Sequence, residues 1–313
     1  MKRILWIVVA VLGVMACQPE KELYLSTEER DAFEAMINPA ILNIAFIKNN
    51  DIYLYRDAEK GSIRLTTDSA VLKFMPRISH DGLKIAYIHQ NGYPIVINAL
   101  TGDTIRSYPQ FAGVTCYDWI AGPLGANDVS LYMLINDSIK FTSASLTVPN
   151  LPLNAATEVK QVAFDPAGNY YYLATEERPN GDITRLYRWE KSTGLIKEMI
   201  FDEPVAQPNT ARLSISGEGD ILLALAQDPG NAVYNTFYAF DKGSLRVSVK
   251  EKSVKFNTAR YNSKLKQALV YGVEPFGTFA KFIRLNYQPF QRAVDKNLDT
   301  TKYGNLIIDF DWK

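Results

Sequence analysis

The chain has 313 residues, with 34 basic and 34 acidic side chains, a formal net charge of zero and 47% hydrophobic residues. Nucleic-acid-binding proteins usually concentrate basic residues on one face, so this balance argues against a nucleic-acid partner. Two cysteines are too few for a disulfide scaffold, but a chain of this length can be stabilised by its hydrophobic core.

The first sixteen residues are typical of a signal peptide. Met1-Lys2-Arg3 is basic, and thirteen uncharged residues, Ile4 to Ala16, lead to Cys17. A spanning helix needs about twenty apolar residues, so this stretch has the length of a signal-peptide core instead. Val14-Met15-Ala16-Cys17 resembles the bacterial lipobox, whose cysteine is lipidated and becomes the first residue of the mature protein. An ordinary secretory signal with an incidental cysteine is the alternative.

The lipobox resemblance implies a lipoprotein of the bacterial cell envelope, held in the membrane by acyl chains on Cys17. Residues 17–25 would form the lipidated tether, which is polar from Gln18 to Glu22. Gln18 is not the aspartate that commonly retains lipoproteins at the inner membrane, so the resemblance favours the outer membrane. Whether the domain faces the periplasm or the outside stays open.

Residues 26–40 are predicted to form a short helix and a lead-in. Ser26 and Glu29 have the spacing of a capping box at a helix N-terminus. Phe33, Met36 and Ile37 form an apolar stripe at helical spacing, which we expect to lie against the following domain.

Residues 41–313 are predicted to form one all-β domain, because a strand, a polar turn and a second strand recur six times. The turns are rich in Asn, Asp, Gly and Pro, which accept positive φ or favour chain reversal. They recur every 41 to 50 residues, measured at Asn50, Asn91, Asn136, Asn180, Gly230 and Gly277. That period fits one four-stranded antiparallel blade per repeat, so we predict a six-bladed β-propeller.

The C-terminal strand is predicted to close this propeller. The segment before the first hairpin, Met36 to Pro39, is broken by proline and makes a poor inner strand. The segment from Asn305 to Trp312 reads as an inner strand with no hairpin after it. We expect it to complete the first blade, because closure removes two exposed sheet edges.

Two turns carry a motif that points to a family. Residues Ile78 to Tyr87, ISHDGLKIAY, resemble the S-P-D-G-K-x-I-A-F signature of TolB-like (WD40-like) propeller repeats, with His80 in place of the usual proline. Residues Phe164 to Gly168 are a second partial match. The resemblance implies a propeller over residues 42–313. It implies no particular activity, since propellers have many unrelated functions.

No catalytic or cofactor site is predicted. His80 and His89 lie on different loops without the spacing of zinc ligands. No G-x-S-x-G motif occurs, and a Ser-His-Asp triad would have to use one of these histidines. Cys116 lies in an apolar run, which indicates a buried small hydrophobic residue rather than a reactive thiolate.

No metal site is predicted either. Asp309 and Asp311 share one face of a strand, and Asn49-Asn50-Asp51 places oxygen-bearing side chains in one turn. Calcium takes six to eight oxygen ligands, more than either segment offers.

Two functions from different classes fit this sequence. The first is a non-enzymatic binding or scaffold module, in which a propeller face contacts an envelope protein or an extracellular ligand. Its binding loops are expected at Pro179–Gly181, Asp228–Asn231 and Glu274–Gly277. The second is a carbohydrate-active or glycan-binding propeller with acidic or aromatic residues at its central channel. Two facing carboxylates within about 10 Å would favour hydrolysis.

Overall fold

The computed structural model describes residues 43–57, 61–120, 130–143, 157–165, 167–177, 179, 183–199, 212–215, 221–227, 235–241, 246–262, 267–273, 280–286, 291–292 and 307–312. The predicted signal peptide, tether and short helix lie outside these ranges. The described elements are β-strands and one 3-10 turn, Pro109–Phe111, so the prediction of an all-β fold is confirmed. No helix among them is both long and apolar enough to cross a bilayer.

The strands form five hydrogen-bonded sheets within the described residues. The strands of the first three sheets, apart from the C-terminal one, are β1 (Ile44–Lys48), β2 (Asp51–Asp57), β3 (Gly61–Arg64), β4 (Lys73–Ile78), β5 (Lys84–His89), β6 (Pro94–Asn98), β7 (Thr104–Ser107), β8 (Cys116–Trp119), β9 (Leu131–Ile135) and β10 (Ser138–Phe141). The remaining strands are β11 (Thr157–Phe164), β12 (Tyr170–Glu176), β13 (Ile183–Trp189), β14 (Ile196–Met199), β15 (Arg212–Ile215), β16 (Ile221–Gln227), β17 (Asn235–Asp241), β18 (Arg246–Asn262), β19 (Gln267–Val273), β20 (Ala280–Asn286), β21 (Gln291–Arg292) and β22 (Ile307–Trp312).

Each sheet is antiparallel, and nearly all neighbours are consecutive in the chain. The four-stranded sheets have the orders β22-β1-β2-β3, β4-β5-β6-β7 and β11-β12-β13-β14, and the three-stranded sheet has the order β10-β9-β8. We call the sheet that begins with β22 sheet A, the one that begins with β4 sheet B, the three-stranded one sheet C and the one that begins with β11 sheet D. The exception to chain order is β22, which pairs with β1 through Ile44 opposite Trp312 and Phe46 opposite Phe310.

The remaining sheet has seven strands because one long strand serves two units. β18 runs without a break from Arg246 to Asn262, pairing with β17 through its first part and with β19 through its second. One four-stranded blade per repeat leads to the expectation of two separate strands here, an outer one near Leu245–Ser248 and an inner one near Ala259–Asn262. That expectation was wrong because the segment contains neither Pro nor Gly, so nothing ends the extended conformation.

The hairpins between the second and third strands have the predicted turn chemistry. Asn49 and Asn50 have φ of 49° and 63°, and Asn136 and Asp137 have φ of 47° and 58°. Positive φ at both central positions defines the turn whose twist matches a right-handed hairpin, and Asn and Asp tolerate it. We call this end of each sheet the hairpin end. The opposite end, where the first strand joins the second and the third joins the fourth, is the turn end.

Neighbouring sheets pack face to face, so both faces of a sheet are buried. Along β5, Ile85 and Tyr87 pack with the core between sheets A and B, whereas Ala86 and Ile88 pack with the core between sheets B and C. A third core fills the space between sheets C and D. Successive strand residues point to opposite faces, so a strand buried on both sides reads as a continuous apolar run.

The first strands of successive sheets lie next to one another. β22 neighbours β4, β4 neighbours β8, and β8 neighbours β11. β11 neighbours β15, β15 neighbours β18, and β18 neighbours β22. The polar contacts between these strands define the centre of the described fold.

Candidate functional site

A buried carboxylate on the C-terminal strand joins three sheets. The Asp311 Oδ2 atom accepts a hydrogen bond from the Ile78 N–H of β4 (2.7 Å), and Oδ1 accepts one from Arg260 Nε of β18 (2.8 Å). Both charged side chains are buried. The carboxylate therefore bridges strands rather than serving as one of a pair of calcium ligands. The side chain of Asp309 lies outside the described residues.

The Arg77–Ile78 peptide group is held from both sides. Its C=O accepts a hydrogen bond from Trp119 Nε1 (2.9 Å) on β8, and its N–H donates to Asp311. Nearby, the Tyr117 hydroxyl donates to the carbonyl oxygen of Met75. Buried backbone groups need partners, and these groups on the first strand of sheet B obtain them from side chains of the adjacent sheets.

Cys116 occupies the corresponding contact between sheets C and D. Its side chain is buried among Tyr132, Val162 and Phe164, and the Val162 N–H points at its Sγ atom from 3.3 Å. The residue packs as a small apolar group within the third core, which is the position the apolar run around it indicates.

A lysine ammonium occupies the space beside Asn49-Asn50-Asp51. Lys73 Nζ donates to the carbonyl oxygens of Asn50 (2.9 Å), Asp68 (2.6 Å) and Val71 (3.1 Å), and it lies 3.5 Å from Asp51 Oδ1. Asp51 also accepts from Arg64 Nη2 at 2.6 Å. These oxygens thus form a cage around the protein's own cation. No group of three His, Cys, Asp or Glu side chains suited to a metal occurs within the part of the chain that the structure describes.

The two histidines are separated by the length of β5. His80 is exposed in the turn before this strand, and His89 is its last residue, where its ring stacks on Tyr93 with centroids 4.8 Å apart. The structure does not bring them together.

The family-like motif forms a compact turn that exposes a leucine. The Ser79 hydroxyl and the Leu83 N–H donate to Asp81 Oδ1, and Lys84 Nζ lies 3.1 Å from Oδ2. Partial burial raises the pKa of Asp81, but the hydrogen bonds from Ser79 and Leu83 and the charge of Lys84 outweigh it and lower the pKa to about 2. Leu83 projects from this turn and is 50% exposed.

The adjacent turn of sheet B exposes a second leucine. Asn98 Oδ1 accepts hydrogen bonds from the N–H groups of Leu100 (2.7 Å) and Thr101 (3.2 Å), and Gly102 closes the turn at φ 77°. The Ala99 N–H donates to the Leu83 carbonyl oxygen (2.9 Å), which joins the two turns. Leu100 is 59% exposed, so two leucines lie together at the turn end of sheet B.

Sheet D repeats this construction. Asp165 Oδ1 accepts from the Asn169 N–H (2.9 Å), and Asn169 Oδ1 accepts from the Lys191 N–H (3.0 Å), which joins its two turns. Gly194 has φ 68°, as Gly102 does in sheet B, and the next residue, Leu195, is 57% exposed.

A different apolar surface lies at the hairpin end, at the start of β4, the first strand of sheet B. Leu72 and Phe74 are 44% and 36% exposed, and they flank the buried Lys73. A β-bulge follows between Phe74 and Arg77, with Met75 at φ 50°. Bulges redirect side chains, and positive φ is strained for a residue such as Met75, which lacks the short polar side chain that lets Asn and Asp adopt it.

The loops that sequence analysis favoured for binding lie almost wholly outside the described residues, and Pro179 alone of them is described, as exposed. The loop of the fourth hairpin joins the end of β12 to the start of β13, so it lies at the hairpin end, where β1 and β5 also end. Sequence reasoning missed Leu72 and Phe74. The available signal was an apolar pair that alternates with Lys73 just before a predicted inner strand.

Comparison with solved structures gives the fold. The chain is similar to the β-propeller domain of Cps50 (Swd1) from Myceliophteria thermophila, with a TM-score of 0.50, 13% identity, and coverage of 80% of this chain and 84% of that one. At this identity the likeness establishes a β-propeller fold and nothing of function.

Two further matches have TM-scores of 0.48. They are a chain of the mitotic checkpoint complex, at 13% identity with 80% of this chain and 77% of that chain covered, and the hydrazine synthase of Kuenenia stuttgartiensis, at 14% identity with 69% of this chain covered. The match spans 63% of the hydrazine synthase chain, less than two thirds of its length. No protein-family model and no curated protein matches the sequence.

Proposed function

We propose that this chain is a membrane-anchored, non-enzymatic binding or scaffold lipoprotein, built on a closed six-bladed propeller of the TolB-like kind. The observation that carries the binding role is the exposed pair Leu72 and Phe74 beside the strained bulge at Met75. Exposed apolar side chains at the start of an inner strand are suited to contact a protein partner, and aromatic anchors dominate such contacts.

The proposed closed ring is supported by two observations. β22 supplies the first strand of sheet A by pairing with β1, and the first strands of successive sheets neighbour one another in a cycle. If the seven-stranded sheet is counted as two four-stranded units that share β18, the described sheets are consistent with the six blades we propose. Deleting residues 304–313 should lower Tm sharply, and an unchanged Tm would contradict closure.

A photo-crosslinking experiment tests the binding role. A photoreactive phenylalanine analogue replaces Phe74, and in a matched control it replaces Ile105, which is 44% exposed on the outer strand β7. On irradiation of cells, we expect a discrete protein adduct from position 74 and none from position 105. Equal adducts from both positions, or none from position 74, would contradict a binding surface here.

The anchor is tested at Cys17. The lipobox resemblance supports an acylated cysteine, and two or three acyl chains hold a protein stably on a bilayer. The Cys17→Ser variant should appear as folded protein in the soluble fraction of the cell envelope, while the wild type sediments with the outer membrane. Retention of the variant in the membrane would refute the assignment.

A further inference from the structure

We propose that the turn end of the propeller rests on the lipid surface, with Leu83, Leu100 and Leu195 in contact with the bilayer in which Cys17 is anchored. This inference rests on the proposed lipid anchor. It goes beyond the anchor by stating which end of the propeller contacts the bilayer.

The place where the chain joins the propeller supports this orientation. Ile44 begins β1 opposite Trp312, the last residue of β22, and the adjacent Asp311 bonds to Ile78 at the end of β4. The turn that carries Leu83 begins at the next residue, Ser79. The tether from Cys17 therefore reaches the fold at its turn end.

The turn ends of the other sheets face the same way. Trp119 contacts Arg77 while Tyr117 contacts Met75, so β8 runs parallel to β4. Cys116 contacts Val162, and the ring of Tyr132, which lies opposite Asp118, packs against Phe164 at 4.6 Å, so β11 runs parallel to β8. Leu195 of sheet D thus lies on the same side of the propeller as the two leucines of sheet B.

The segment between Cys17 and the first strand, which contains the tether and the lead-in, is short relative to the domain. Residues 17 to 42 comprise 26 residues, and a flexible chain of that length has a root-mean-square span of about 30 Å. A domain of this size has a radius of gyration of roughly 18 Å, which for a sphere corresponds to about 46 Å across, so the far end of the domain lies beyond that root-mean-square span. The end to which the tether is attached is then the end held nearest the membrane.

The chemistry of the turn end suits a bilayer interface. Its three exposed leucines sit on turns, and the backbone N–H group of each leucine donates a hydrogen bond within its turn. Burying the leucines in lipid therefore leaves these N–H groups with their hydrogen-bond partners. Lys191 and Lys197 are exposed beside Leu195, where Lys197 also pairs with Glu190, and Lys84 pairs with Asp81 beside Leu83. Leucines accompanied by lysines are typical of surfaces that bind anionic lipid headgroups.

The test uses the full-length lipidated protein in vesicles of phosphatidylethanolamine and phosphatidylglycerol. Single cysteines replace Leu83, Leu195 or the control Leu72 in a Cys116→Ala background, and each receives an environment-sensitive fluorophore. With spin-labelled lipids present, we expect at least twofold stronger quenching at positions 83 and 195 than at position 72. Equal quenching at all three, or the strongest at position 72, would overturn the orientation.

Flotation separates this outcome from failure of the anchor. If the wild type floats with the vesicles and the Cys17→Ser variant does not, the anchor stands and the quenching result judges the orientation alone. If the wild type does not float, the anchor and the orientation are both refuted. Fluorophore burial that depends on protein concentration rather than on lipid would assign the leucines to contact between copies of this chain, which also overturns the inference.

Discussion

Replacing Asp311 with alanine should destabilise the folded protein by about 3–5 kcal/mol. The substitution removes the acceptor of the buried Ile78 N–H and the counter-charge beside Arg260. Removing one partner of a buried ion pair costs about this much, because the other charge stays out of water. At roughly 2–4 °C per kcal/mol for a domain of this size, Tm should fall by about 10 °C.

Urea denaturation followed by tryptophan fluorescence measures this loss. Asp311→Asn keeps an oxygen that can accept from Ile78 but still removes the counter-charge of the buried Arg260, so it should recover only the one hydrogen bond, about 1–2 kcal/mol of the loss. The matched control is Asp103→Ala on an exposed turn, which should change stability by less than about 0.5 kcal/mol.

Two results would refute this reasoning. The first is a denaturation midpoint of Asp311→Ala that is indistinguishable from that of Asp103→Ala at the same m-value. The second is an Asp311→Leu, Arg260→Leu double variant that loses as much as the sum of the two single variants. Removing both charges of a buried pair together should cost less than that sum.

Three further positions test separate features of the fold by the same denaturation assay, two of them with a matched control substitution. Lys73→Met should cost about 3 kcal/mol because it empties a buried cage, whereas Lys84→Met, at a partly exposed ion pair, should cost under about 1 kcal/mol. Gly102→Ala should cost more than about 2 kcal/mol, because the added Cβ would overlap the backbone oxygen of Leu65. Gly194→Ala, at a similar φ but with open space around the Cβ, should cost about 1 kcal/mol. Equal losses at the two glycines would contradict this. Tyr170→Phe should be neutral or stabilising within about 1 kcal/mol, because its buried hydroxyl has no partner among the described residues.

The local features of the fold could be predicted from sequence because they are encoded over a few residues. The Asn49-Asn50 and Asn136-Asp137 turns adopt the positive φ that their side chains tolerate, and the strands beside them are apolar as a buried sheet requires. Propeller architecture followed from their regular spacing. Each of these signals lies within one repeat of 41 to 50 residues.

The contacts between sheets could not be predicted in the same way. Asp311 meets Ile78, 233 residues earlier in the chain, and Lys73 meets the carbonyl of Asn50, 23 residues earlier. In the sequence, Asp311 reads as half of an acidic pair, and nothing near Lys73 indicates its partners. Their roles emerge only when the sheets pack, because a buried charge acquires its partner from a neighbouring element.

The uninterrupted strand β18 has a mechanical consequence. Between β3 and β4, and between β7 and β8, a described connection separates one sheet from the next, and such a connection can absorb a small rotation between sheets. In β18 the backbone passes directly from Arg246 to Asn262 while pairing on both sides, so a twist of either unit is transmitted to the other. The two units should therefore open together as a single cooperative segment in native-state hydrogen exchange. An insertion at the middle of β18 would disrupt both.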